Sequence, residues 1–212
     1  MLIKYRYHLL VFILAFVFLS CGRNSLAAEN DFEKLRMESA KIKTLQADFI
    51  QKKNMKILSK PLISEGRFYF AAPGSFRWEY IRPLKSMVIS HKNNTKRYIY
   101  SDGAMVEDKT GGVQAMKIVL GEITGWMSGR FDQNPSFKAT ISKKKPDTMI
   151  ALVPAEKNTS SMIEKIEITL SSKGGNVKSV KIFEGPDNFT QINFNNVKIN
   201  ESFDASVFQD PQ

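Results

Sequence analysis

Cysteine and histidine are almost missing from this chain. Among 212 residues there is one cysteine, Cys21, and there are two histidines, His8 and His91. Cys21 and His8 both fall in an N-terminal stretch that reads as an export signal, which leaves His91 as the only histidine of the mature domain. One histidine without a thiol excludes a His/Cys metal cluster and a cysteine–histidine catalytic pair. It also excludes an internal disulfide, so stability has to come from a core. The sequence has no G-x-S-x-G elbow, no P-loop and no G-x-G-x-x-G after a strand. A serine–histidine–acid site stays open on paper, but His91 at a strand end reads first as a surface or turn residue. The acids fare no better: Asp102 before Gly103 and Asp187 in Gly185-Pro186-Asp187 belong to turns, and Glu164 and Glu167 flank Lys165 on an ordinary charged strand face. Neither an internal repeat nor a dividing linker is present. These absences point to a binding protein without cofactor or metal.

No acidic residue precedes Glu29. Lys4 and Arg6 open the chain, and Leu9 to Leu19 is an unbroken apolar run, so residues 1–28 read as a secretory signal and 29–212 as one mature domain. The run is about half of the ~20 residues that a membrane-spanning helix needs. Small residues at Ser25-Leu26-Ala27 and Leu26-Ala27-Ala28 suit cleavage to a soluble periplasmic product. Leu19-Ser20-Cys21-Gly22 offers a second reading, a lipoprotein signal over residues 1–20 with Cys21 acylated, although Phe18 stands where such a motif usually has Leu. The formal net charge is +10, and Lys4, Arg6 and Arg23 account for three of these charges. Export argues against nucleic acid as the partner of the remaining positive surface and favours anionic headgroups or acidic protein patches.

Apolar periodicity then lays out the domain. Asn30 to Leu45 reads as a helix with Asn30 as cap, Glu33 three residues on, and Phe32, Leu35, Ile42 and Leu45 on one face. A strand is expected over Gln46–Lys56, followed by two aromatic runs around Pro73-Gly74. Further strands are expected at Ser86–His91, Lys96–Ser101 and Ala104–Asp108. From Val113 to Ser128 the period becomes helical, with Val119 and Met127 in the apolar stripe and Gly121 and Gly125 each weakening the helix by about 1 kcal/mol relative to Ala. Strand periodicity returns at Phe137–Ser142, Thr148–Val153, Ile163–Leu170, Val177–Phe183 and Phe189–Asn196, with turn residues between. This is a mainly β fold with helices. About eleven strands form a strongly bent antiparallel sheet or incomplete β-barrel with the helices covering its concave side.

Function is concentrated in Ser64–Tyr80. Alternation places Phe68 and Phe70 together, and Phe76, Trp78 and Tyr80 together, on one very aromatic face that needs a core, a partner or a ligand to cover it. The opposite face carries Arg67, Arg77 and Glu79. With Phe49, Met87 and Ile89 from neighbouring strands and Met116, Leu120, Ile123 and Trp126 from the second helix, these rings make either a plain core or the wall of a cleft for acyl chains.

The same residues resemble the outer-membrane lipoprotein carrier family, LolA. Leu45-Gln46-Ala47-Asp48-Phe49-Ile50-Gln51 is similar to the family's entry to the first strand, and Ser64-Glu65-Gly66-Arg67-Phe68 and Pro73-Gly74-Ser75-Phe76-Arg77-Trp78-Glu79-Tyr80 follow in order, up to Pro83. The resemblance implies a monomeric periplasmic carrier that does no covalent chemistry, with a hydrophobic cavity under a helical lid. Such a carrier takes lipoproteins from an inner-membrane ABC-type release complex and passes them to an outer-membrane receptor. Phe76 and Trp78 match family positions that face the cavity. The family also has an arginine before the hairpin proline that latches the lid, and here that position is Ala72. A receptor or assembly lipoprotein tethered through Cys21 is the alternative, and an exported hydrolase the third reading.

Overall fold

The computed structural model describes residues 21–92, 94–109, 114–172 and 175–211. The apolar run of the signal, the first residue of the Asn93-Asn94 turn and most of the Lys109–Gly112 loop lie outside these residues, as does the Met116 side chain. Eleven strands form one antiparallel sheet that does not close. After a helix α1 (Cys21–Ser39) come β1 (Thr44–Asn54), β2 (Leu62–Ala71), β3 (Ser75–Arg82), β4 (Ser86–His91), β5 (Asn94–Ser101) and β6 (Ala104–Glu107). Helix α2 (Gln114–Met127) then leads to β7 (Phe137–Lys144) and β8 (Asp147–Pro154), and the short α3 (Lys157–Ser160) to β9 (Lys165–Leu170), β10 (Val177–Gly185) and β11 (Asn188–Ile199). A 3₁₀ turn, Ala205–Phe208, follows near the C-terminus.

The strand order is β6-β5-β4-β3-β2-β1-β11-β10-β9-β8-β7. Two meanders, β1 to β6 and β7 to β11, therefore meet along a single seam where β1 pairs with β11. Local chemistry sets the hairpins. At the β5–β6 turn Asp102 and Gly103 both take positive φ, 52° and 88°, the conformation that an Asp-Gly hairpin turn requires.

Alternation sorts each strand into two faces. Phe49 of β1, Phe68 and Phe70 of β2, and Phe76 and Trp78 of β3 point to the inner face, where they join Ile166, Ile168, Ile182 and Ile192 in the main core. Both helices cover this face: α1 contributes Phe32 and Leu35, and α2 contributes Val119, Leu120, Ile123 and Trp126. Arg36 of α1 binds Asp132, just beyond α2, at 2.9 Å, and Gly129 at φ 71° lets the chain pass against the α1 backbone at Leu35 and Arg36.

The outer face carries a second, smaller core. Here Met87, Ile89 and Tyr98 pack under Phe208, with Tyr69, Phe203 and Val207 around them. Arg77 donates to the Val207 carbonyl at 3.1 Å and pairs with Glu79 at 3.1 Å, which fastens the C-terminal segment across β3.

One expectation shifts and one element is new. The first helix is displaced toward the N-terminus: Asn30 lies inside it, and Ile42 and Leu45 lie beyond its end, because Thr44 and Leu45 already pair with Ala71 and Phe70 of β2. Leu-Ala-Ala before Asn30 are good helix formers, so no cap is needed there. The C-terminal cover on the outer face was not foreseen, since its few apolar residues have no period.

Candidate functional site

The inner face is not fully covered. On this face a cavity of about 1130 Å³ opens between strands β1 to β6, the ends of β10 and β11 beside β1, the β2–β3 turn and helix α2. This exceeds the ~300–1,000 Å³ usual for drug-sized ligands. Phe76, Tyr80 and Val88 form part of the floor, Leu120, Gly121 and Thr124 of α2 form the roof, and Leu62, Ile63, Pro83 and Leu84 lie along the rim.

Several polar groups of the wall are paired with one another. The Tyr80 hydroxyl donates to Gln51 Oε1 at 2.8 Å. Lys53 reaches Glu184 at 3.2 Å, and the Thr190 hydroxyl donates to the other oxygen of that carboxylate at 2.9 Å. Arg97 is paired with Asp108. Burial pushes the Tyr80 phenol up to about 12, against the smaller opposing effects of Trp78 and Gln51. A wall with two of its charge pairs neutralised in this way makes little electrostatic demand on an uncharged chain.

Of the twelve expected cavity residues, eleven separate into three groups. Phe76, Tyr80 and Leu120 line the cavity through their inner-face positions. Phe49, Phe68, Phe70, Trp78, Ile123 and Trp126 lie in the packed core beside it: the Phe49 and Trp78 rings are 4.4 Å apart between centroids, and Trp78 is 1% exposed. Met87 and Ile89 point the other way. Trp78 pairs with Val88 across β3 and β4, so the residues flanking Val88 face outward, into the Phe208 cluster, and Met87 borders the cavity from a strand whose side chain is on the far side. Met116 lies outside the described side chains. Sequence reasoning missed Val88, Ser86 and Ser90, which share the face of Trp78, Tyr80 and Phe76. Counting the two-residue alternation from Trp78 through a paired β4 would have identified them.

Ala72 is exposed and carries no group that could latch a helix, and its N–H is spent on the Lys43 carbonyl at 2.8 Å. The turn still approaches α2: a Cβ at Gly74 would lie 4.0 Å from Thr124 Cγ2. Arg77 cannot substitute for a latch, because it is engaged on the outer face. On α2, Glu122 is raised by burial and accepts from Asn134 in the following loop at 2.6 Å.

His91 does meet a serine. Its Nδ1 is 2.8 Å from the Ser75 hydroxyl, and its ring stacks on Phe208 with centroids 5.7 Å apart. Among the described residues no carboxylate is hydrogen-bonded to that ring, and the pair lies at the ends of β3 and β4 under the C-terminal segment. It is an anchoring contact.

Comparison with known proteins adds to this geometry. A curated relative, an outer-membrane lipoprotein carrier protein of Dechloromonas aromatica, is 26% identical over 168 residues, covering 79% of this chain and 76% of its own. Among solved structures, an uncharacterized conserved protein from Thermus thermophilus has the same fold, at TM-score 0.52 and 9% identity over 87% of this chain and 94% of that one. A LolA superfamily protein from Nitrosomonas europaea aligns at TM-score 0.41 and 6% identity, covering 84% and 97%. The family model described as outer membrane lipoprotein carrier protein LolA matches residues 40–210. This chain therefore belongs to the LolA family.

Proposed function

We propose that the protein is a periplasmic carrier that holds the acyl chains of lipoproteins, or of related lipids, in the inner-face cavity and moves them from the inner toward the outer membrane. The observation that carries this reading is the cavity of about 1130 Å³ between sheet and helix α2, whose lining is more apolar than polar and whose charged groups are largely paired. Each methylene moved from water onto such a wall is worth roughly 0.8 kcal/mol, so one chain is held firmly without any directional contact. Delivery then requires a receptor that binds the same chain more tightly. An ABC-type release complex and an outer-membrane receptor fit the two ends of that route. No step of it calls for covalent chemistry.

The test is the lipid content of the protein purified from an exporting host, read by mass spectrometry. Wild-type protein is expected to carry acyl lipid. Val88→Trp, which places an indole in the cavity from the floor of β4, is expected to carry much less at an unchanged melting temperature. Lipid-free wild-type protein that also fails to take up a fluorescent lipopeptide would overturn the reading.

A further inference from the structure

Among the described residues most large apolar side chains are covered, and the two most exposed exceptions lie at one end of the sheet. Ile57 is 85% exposed and Leu84 80%, and Leu58, Leu62 and Ile63 beside them are also exposed. Ile57, Leu58, Leu62 and Ile63 span the β1–β2 connection and the start of β2, while Leu84 sits in the β3–β4 connection. Register brings the two connections together: Lys53 pairs with Leu62, and Glu65 pairs with Arg82, two residues before Leu84.

The same connections are basic. Lys52, Lys56 and Lys60 flank Ile57 and Leu58, Lys85 follows Leu84, and none of these four forms an ion pair among the described residues. The nearby acids are largely committed, Glu65 to Arg82 and Glu184 to Lys53; among the described residues Asp187 alone faces the Lys56–Lys60 loop from the β10–β11 turn. Lys85 lies 5.1 Å from the centroid of the half-exposed Tyr100 ring.

We propose that this end of the sheet is a docking surface for an anionic phospholipid membrane. Apolar tips projecting from two loops, with long cationic side chains between them, suit insertion into the headgroup layer: the tips enter the acyl boundary while the ammonium groups stay at the phosphates. An acidic protein patch would match the lysines but would leave the protruding Ile57 and Leu84 without a pocket. Position adds to this. Leu62, Ile63 and Leu84 form the rim of the cavity, so docking by this end turns the cavity mouth toward the lipid layer. The surface does not depend on what the cavity carries.

Flotation of the purified protein with vesicles tests it, comparing phosphatidylcholine alone with phosphatidylcholine plus phosphatidylglycerol. Wild-type protein is expected to float with the anionic vesicles and to be released by salt. Each of Lys52→Gln, Lys56→Gln and Lys60→Gln should lower partitioning about fivefold. Ile57 lies outside the cavity wall, so Ile57→Asp should abolish flotation while the bound lipid and melting temperature stay as in wild type, and Ile57→Trp should give a blue-shifted emission on anionic vesicles only. Three results overturn the proposal: no flotation of wild type, flotation unchanged by these substitutions, or binding only to outer-membrane vesicles that retain their proteins.

Discussion

The Phe49 ring lies over Gly66, its cross-strand partner on β2, so closely that a Cβ there would be 2.3 Å from Phe49 Cζ and 2.1 Å from the Glu79 carbonyl oxygen. The missing side chain lets the Phe49 ring settle against β2 and reach Trp78 and Tyr80, whose rings lie 4.4 and 5.3 Å away. Gly66→Ala should therefore force β3 or the ring to move, at about 1–3 kcal/mol of stability. Urea denaturation measures it, and a loss of under about half a kcal/mol would contradict the fit.

Phe208→Ala removes the central ring of the outer core. A buried Phe truncated to Ala costs about 3–5 kcal/mol, and this site, on a terminal segment able to collapse, belongs at the lower end. Bound lipid, normalised to folded protein, should not change, because Phe208 and the cavity are on opposite faces of the sheet. A selective loss of cargo would show that the two faces are coupled.

Tyr80 makes a pH prediction with a definite sign. Its folded pKa is raised to about 12 from 10, so in the alkaline range the unfolded chain gives up its proton first. The stabilisation is full below about pH 10 and is lost as pH rises toward about 12, by about 2–3 kcal/mol in all. Tyr80→Phe should show a shallower loss of stability between about pH 9.5 and 11.5 than wild type, which separates this residue from the many lysines that titrate there. Parallel curves would refute it.

Cys21 separates the two readings of the N-terminal signal. With the soluble product expected, labelled palmitate should not be incorporated, and Cys21→Ser should leave processing unchanged. Label that enters wild type and disappears in the variant would establish the tethered form.

The strands were legible because alternation and turn chemistry are local. Ser86–His91 was read with its observed bounds, and the aromatic hairpin and the α2 stripe were read within two residues or so, since each announces itself within a few neighbours. What spans two strands was not legible. Met87 and Ile89 alternate as correctly as Val88 does, and only pairing with Trp78 tells which set faces the helices. The split between core and cavity was equally hidden: Phe76, Trp78 and Tyr80 share a face and a motif, but Trp78 is closed in the core with Val119, Ile123 and Trp126 of α2 while Phe76 and Tyr80 on either side of it border the cavity. A ring's value to a ligand depends on what the helix leaves uncovered, which no local pattern records.

The seam between β1 and β11 has a kinetic consequence. Within each meander the hairpins join near neighbours, whereas the seam joins Asp48 to Asn195 and Phe49 to Phe194. Such distant pairing is slow because the loop must close before the contacts form. A chain made N-terminus first leaves one edge of β1 unpaired until its last strand arrives. During that interval the nascent sheet offers an open row of backbone donors and acceptors to any other chain.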